Sequence, residues 1–204
     1  MEEEILQDKG AEPEAAVEPA SKKKPKRLLS AVVAAVVAIL LCVSYFLPFT
    51  SLKDESLLTD SMLSDVELVS GTGITYADMG NPSYVRWAQV YKALSDSAED
   101  LGLSAMNGYN EVFAILAASG VLALLSLLFS LLKKATPIVL LSLMNLGVLA
   151  FVTKYFEISG PVSDSALSTW AFGHTALLVL SVVLAVVGVW LFVAKHMQKK
   201  AKAE

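Results

Sequence analysis

The chain has 204 residues, 55% of them hydrophobic and 18% charged, with a formal net charge of −4. Soluble domains hold nearer ~45–50% apolar and ~25% charged residues, and here the excess is gathered into four blocks, which excludes an ordinary soluble domain. The single cysteine, Cys42, excludes an intramolecular disulfide, and the one Asn-x-Ser match, at Asn81, is disqualified as a glycan acceptor by Pro82. An outer segment without disulfide or glycan suits a bacterial membrane.

Residues 1–27 open with an acidic stretch rich in Ala and Pro, read as a disordered cytoplasmic tail, and close on KKKPKR. That cluster could pass for a nuclear-import signal. It abuts the apolar run 28–48, however, as a topology anchor does, and attraction to anionic lipid headgroups is a secondary role. The run is too long for the core of a cleaved signal peptide, and its exit, "SYFLPFTS", holds no small-x-small cleavage site. It is read as the first transmembrane helix, ended by Pro48.

Residues 49–110 are too long for a plain connection and are read as a mainly helical extracytoplasmic domain. "SLKD" resembles a capping box, and Leu58, Met62, Val66 and Val69 then recur at helical spacing. The competing reading makes "VELVS" and "ITYAD" two strands around Gly71 and Gly73. Those glycines lack the P-loop or strand–GxGxxG–helix setting of a phosphate site and are read as a turn. In "NPSYVRWAQVYKALSDSAEDLG", Asn81 serves as cap, Pro82 as first helical residue and Gly102 as stop. Tyr84, Ala88, Tyr91, Leu94, Ala98 and Leu101 form its apolar stripe. Trp87 falls one position off the stripe beside Arg86, and these two are the candidate partner-binding residues, since exposed Trp and Arg are enriched at binding hot spots. The bland alternative is that Trp87 covers the outer ends of the spans. Between residues 53 and 111 stand ten carboxylates (Asp54, Glu55, Asp60, Asp65, Glu67, Asp78, Asp96, Glu99, Asp100, Glu111) and three basic side chains (Lys53, Arg86, Lys92). This acidic face attracts cations or a basic partner, or simply keeps the surface soluble.

Residues 111–132 form the second span, capped by Asn110 with Glu111 in its first turn. A cytoplasmic turn at 133–136 leads to the third span, 137–155. Asn145 near its middle is the candidate interhelical polar contact, and a polar group there also marks a transport path in some proteins. Ser119, Ser126, Ser130, Ser142 and Ser181 are expected to bond their own helices. An outer loop, 156–170, carries a helix capped by Ser163 or Asp164 and running toward Trp170. The fourth span, 171–194, precedes a basic tail, 195–204. His174 at its start, with Glu157, Asp164 and Glu111, could hold a metal or sense pH, but no ligand spacing supports it. His196 lies among lysines and is read as solvated. Small residues four apart, Ala34 with Ala38 and Ala114 with Ala118, are expected to face neighbouring helices.

Twelve basic residues (Lys9, Lys22, Lys23, Lys24, Lys26, Arg27, Lys133, Lys134, Lys195, Lys199, Lys200, Lys202) fall on one face of a four-span arrangement and four (Lys53, Arg86, Lys92, Lys154) on the other. Both termini are therefore expected to be cytoplasmic. The layout is similar to that of claudin-like tetraspan proteins, but their W-GLW-C-C loop pattern is absent: Trp87 stands alone and no cysteine accompanies it. The resemblance is of topology only and carries over no residue.

The fold expected is an all-α membrane protein, four transmembrane helices with a small, mainly helical outer domain between helices 1 and 2. The function expected is non-enzymatic: an interaction or accessory subunit of a membrane assembly, acting through its outer domain. The alternative is a small transporter or channel component. No catalytic, cofactor or metal residues are assigned, and the partners expected are the lipid bilayer and a protein on the outer face, not nucleic acid.

Overall fold

A computed structural model describes residues 25–54, 64–102, 108–163 and 167–200. It is mostly helical. In chain order the elements are α1 (Pro25–Ser44), β1 (Thr50–Leu52), a 3-10 turn (Ala77–Met79), α2 (Tyr84–Asp100), α3 (Tyr109–Leu131), α4 (Ala135–Ile158), β2 (Ser168–Trp170) and α5 (Phe172–Lys200). Three helices are long and apolar enough to cross a membrane: α3, α4 and the Phe172–Met197 part of α5. The apolar part of α1, Leu29–Ser44, is shorter. α1 packs against α3 and α5, and α4 packs against the same two, so each of α1 and α4 lies between α3 and α5.

The helices follow from runs of Leu, Val and Ala whose ends carry specific stops. α3 ends where Lys133 takes a left-handed conformation (φ 56°). The Lys133 amide then donates to the Ser130 carbonyl and the Lys134 amide to that of Phe129. This pair of bonds satisfies carbonyls the helix would leave open and turns the chain back into α4. Pro137 falls in the first turn of α4, where its missing N–H costs nothing. Close approach depends on small residues. Ala34 and Ala38 are fully buried on α1. On α5, a methyl group at Gly188 would stand 2.9 Å from Val139 Cγ2 and 3.1 Å from Ile138 Cγ2 of α4. Ala114 and Ala118 are exposed, so the expected packing of that α3 face does not occur within this chain.

The segments outside the long helices depart from expectation in five places. The "SLKD" capping box starts no helix; residues 50–52 form β1, which pairs antiparallel with β2 (Thr50 opposite Trp170, Leu52 opposite Ser168). The strand β2 likewise replaces the helix expected to lead to Trp170. Val66 and Val69 are not helical: the Leu68 amide donates to the Ile74 carbonyl and the Tyr76 amide to Val66, closing a hairpin over Gly71 and Gly73, both at positive φ. The structure follows the turn of the competing reading but not its strands, since a single bridge, Glu67 opposite Thr75, joins the two arms; Leu58 and Met62 lie outside the described residues, as does Asp164. The cap of α2 is Ser83, whose Oγ accepts from the Arg86 amide, because Asn81 and Pro82 belong to the linker that pairs with residues 48–50. Gly102, at φ +71°, does stop α2. α3 begins one residue before Asn110, on the left-handed Gly108 rather than on an Asn110 cap. An all-α description therefore misses two short strands and a hairpin, and the outer segment has one α-helix among its described residues.

Candidate functional site

Three arrangements bring chemically distinctive side chains together. The first lies between the helices. Asn145 is fully buried on α4; its Oδ1 accepts from Ser119 Oγ of α3 at 2.7 Å and from the Tyr45 hydroxyl at 3.1 Å, and its Nδ2 donates to Ser181 Oγ of α5 at 3.2 Å. The Tyr45 hydroxyl also lies 2.7 Å from Ser119 Oγ. One amide thus links α3, α4, α5 and the residue that follows α1. Ser126, Ser130 and Ser142 instead donate to carbonyls four residues back in their own helices. All of these groups are buried, and their bonds stay within the helix bundle.

The second is an aromatic collar where the outer segment meets the helix ends. Phe49, buried after α1, meets Tyr84, Phe156, Trp170 and His174 at ring distances of 4.9 to 5.9 Å. Trp87 packs edge-on to Phe156, and its Nε1 donates to Thr50 Oγ1 at 2.9 Å. Trp87 is only 8% exposed, so its ring is not offered to a partner; this corrects the expectation of an exposed tryptophan. Tyr91 is buried in the same collar, and burial, first among the causes, pushes its hydroxyl above the ordinary tyrosine range. His174 stacks on Trp170 with ring centroids 3.9 Å apart. The Thr153 hydroxyl gives its proton to the Leu149 carbonyl at 2.8 Å, so the 3.0 Å contact with His174 requires Nε2 to carry a hydrogen and donate. Among the described residues no three His, Cys, Asp or Glu side chains come together as a metal site. Glu157 pairs with Lys154 at 2.7 Å, and Glu111 is exposed in the first turn of α3. His196 is exposed.

The third is a groove of about 440 Å³ between the hairpin tip and α2. Ser70, Thr72 and Ile74 line one wall; Arg86, Gln89, Lys92, Ala93, Asp96, Ser97 and Asp100 line the other. Arg86 is half-buried and fixed by Asp78 at 2.6 Å and by Gln89 at 3.1 Å. The Arg86 guanidinium, together with the Thr75 amide, holds the Asp78 carboxyl below the usual carboxylate range. Lys92 pairs with Asp96 at 2.9 Å. The wall is therefore ordered along α2, with cations toward its N-terminus and carboxylates toward its C-terminus. This order suits a ligand of mixed charge. Glu67 shapes the hairpin tip by accepting from the amides of Gly71 and Gly73.

The structure thus separates Arg86 from Trp87: one lines the open groove, the other is core. Tyr45 and Thr50 were not singled out from the sequence, and only their place at the end of an apolar run marked them. Comparison of the chain with known protein families, with curated proteins and with solved structures gives no match.

Proposed function

We propose that the chain is a four-span integral protein of a bacterial cytoplasmic membrane, with both termini in the cytoplasm. It acts without catalysis as an interaction or accessory subunit of a membrane assembly, through its outer segment. The observation that carries this reading is the contrast between the two polar regions. The groups between the helices close on one another, whereas the groove beside α2 presents paired charges, hydroxyls and an amide to the outside. A partner segment carrying an acidic residue toward Arg86 and Lys92, and a basic one toward Asp96 and Asp100, is the occupant that matches the wall.

The test is site-specific crosslinking in native membranes. Gln89 is exposed and lines the groove, so Gln89→Trp fills it without touching the core. The complex should disappear while the melting temperature stays within about 2 °C, the shift of an ordinary surface substitution. Crosslinks that survive an unchanged fold reject the groove.

A transporter reading has one observation in its favour, the buried Tyr45, Ser119, Asn145 and Ser181 set. It requires those groups to exchange their present bonds for a solute. Solute flux into liposomes that is abolished by Asn145→Leu would favour it over the accessory reading.

A further inference from the structure

We infer that the segment between α1 and α3 is half-sunk in the membrane: Phe46 and Val85, in the first turn of α2, contact acyl chains of the outer leaflet, in the gap left above the end of α1. The inference rests on the four-span reading and goes beyond it by naming a lipid-contact surface in the outer segment.

The first argument is length. α1 is helical only to Ser44, although the apolar run of the sequence continues through Leu47. The hydroxyl of Tyr45, the next residue, reaches Ser119, Asn145 and, through Asn145, Ser181. Measured along their own helices, Ser119 lies about 15 Å below the outer end of α3, Asn145 about 20 Å below that of α4 and Ser181 about 14 Å below that of α5. Even allowing for the length of a tyrosine side chain, α1 stops well short of its neighbours.

The second argument is what fills the space. The Val85 amide donates to the Tyr45 carbonyl at 3.2 Å, and Val85 stands with Cys42, Tyr45, Phe46, Gly120, Ala123 and Leu124 around an apolar groove of about 180 Å³. Gly120 and Leu124 are well inside α3. The start of α2 therefore lies beside the outer half of a candidate span. Higher up, Lys92 Nζ lies 5.9 Å from the Phe113 ring centre and Tyr91 packs on Tyr109, so α2 rises antiparallel to α3 from that depth.

The third argument is backbone satisfaction. Irregular chain at membrane depth persists only where its polar groups are bonded within the protein. Most of the backbone polar groups of residues 45–50 are so bonded. The amides of Phe46 and Leu47 turn back to Val43 and Ser44, the Phe49 amide donates to Pro82, and the carbonyls of Pro48 and Phe49 accept from Gly173 and Ala171.

Polarity marks the boundary. The outer part of α3 exposes Asn110, Glu111, Ala114 and Ala118, then Val121, Leu124, Leu128 and Leu131 further in. Phe46 is 71% exposed beside them. Arg86, the next residue, and Gln89, one turn above Val85, line the open polar groove. Acyl chains thus end between Val85 and Gln89 on this flank.

The experiment places single cysteines at Phe46, Val85, Asp96 and Leu128 in a Cys42→Ala background and attaches a nitroxide. The protein is reconstituted in phosphatidylcholine–phosphatidylglycerol vesicles, and collisions with oxygen are compared with those with a water-soluble nickel chelate. Phe46 and Val85 should favour oxygen as Leu128 does, and Asp96 should favour nickel. If Leu128 favours oxygen while Phe46 or Val85 favours nickel, the inference is overturned and the membrane reading stands. If Leu128 itself favours nickel, the membrane reading fails and takes the inference with it. The unsubstituted chain gives a second measurement in vesicles of an acyl-chain diazirine lipid. Adducts should map to Phe46 and Val85; their absence there, with adducts present on the inner half of α3, contradicts the inference.

Discussion

Trp87 shows how a single side chain decides between an interface and a core. Its indole is buried against Phe156 and bonded to Thr50, which ties α2 to β1. Trp87→Ala should lower unfolding free energy by about 3–5 kcal/mol, the cost of a large aromatic removed from a core. Trp87→Phe keeps most of the packing and loses one buried hydrogen bond, so it should cost nearer ~1 kcal/mol. Equal, small effects from both in a detergent melt would place the ring outside the core. Asn145→Leu removes the amide that joins three helices and should cost about 1 kcal/mol, the scale of interhelical polar contacts in membranes. Asp78 supplies a pH dependence. Its folded-state acidity is strengthened by Arg86 first and the Thr75 amide next. A depressed carboxyl contributes stability that is present above its unfolded value and is lost as pH falls through the folded one. Acidification below about pH 4 should therefore loosen the contact between the 3-10 turn and α2, and Asp78→Asn should remove that dependence. Hydrogen exchange at the amides around Thr75 reads it out; an identical acid profile in the variant would show that another group titrates.

At the scale of elements, composition revealed the helices and pairing hid the rest. α3, α4 and α5 are runs of Leu, Val and Ala, and such runs declare themselves at any register. β1 and β2 are three residues each and lie more than a hundred positions apart, so no local pattern encodes their pairing. The hairpin at Gly71 and Gly73 was legible as an alternative, since two closely spaced glycines favour a turn. Trp87 was legible too: Tyr84, Trp87 and Tyr91 follow at steps of three and four, which is one helix face, and the burial of all three follows from that spacing. Asn145 was visible as a polar residue in an apolar run, but its partner Tyr45 was not, because the early end of α1 is set by contacts with residues 82–85 and 171–173. The same contacts make a prediction. A methyl group at Gly173 would lie 2.4 Å from the Pro48 carbonyl oxygen, whereas one at Gly147 meets nothing within 4 Å. Gly173→Ala should reduce the yield of folded protein several-fold, and Gly147→Ala should leave it unchanged. By the same reasoning Ala38→Leu should destabilise and Ala118→Leu should be tolerated, as scored by melting in detergent.

For the whole molecule, the sequence carries an orientation that the fold can be held against. Basic residues cluster at 22–27, 133–134 and 195–202. α3 and α4 are joined by a tight turn at Lys133 and Lys134, which puts that turn on the side opposite the outer segment. Three crossings by α3, α4 and α5 would leave the start of the chain and the outer segment on the same side. A fourth crossing by α1 separates them and gathers all three basic clusters on one face. The central claim is thus that α1 crosses. The measurement that tests it most directly is thiol labelling of intact cells with a membrane-impermeant maleimide, using Ala20→Cys and Ser95→Cys singly in a Cys42→Ala chain. Ser95→Cys should react in intact cells, and Ala20→Cys only after the membrane is opened. Reaction of both positions in intact cells would put the two ends of α1 on one side and contradict the four-span account.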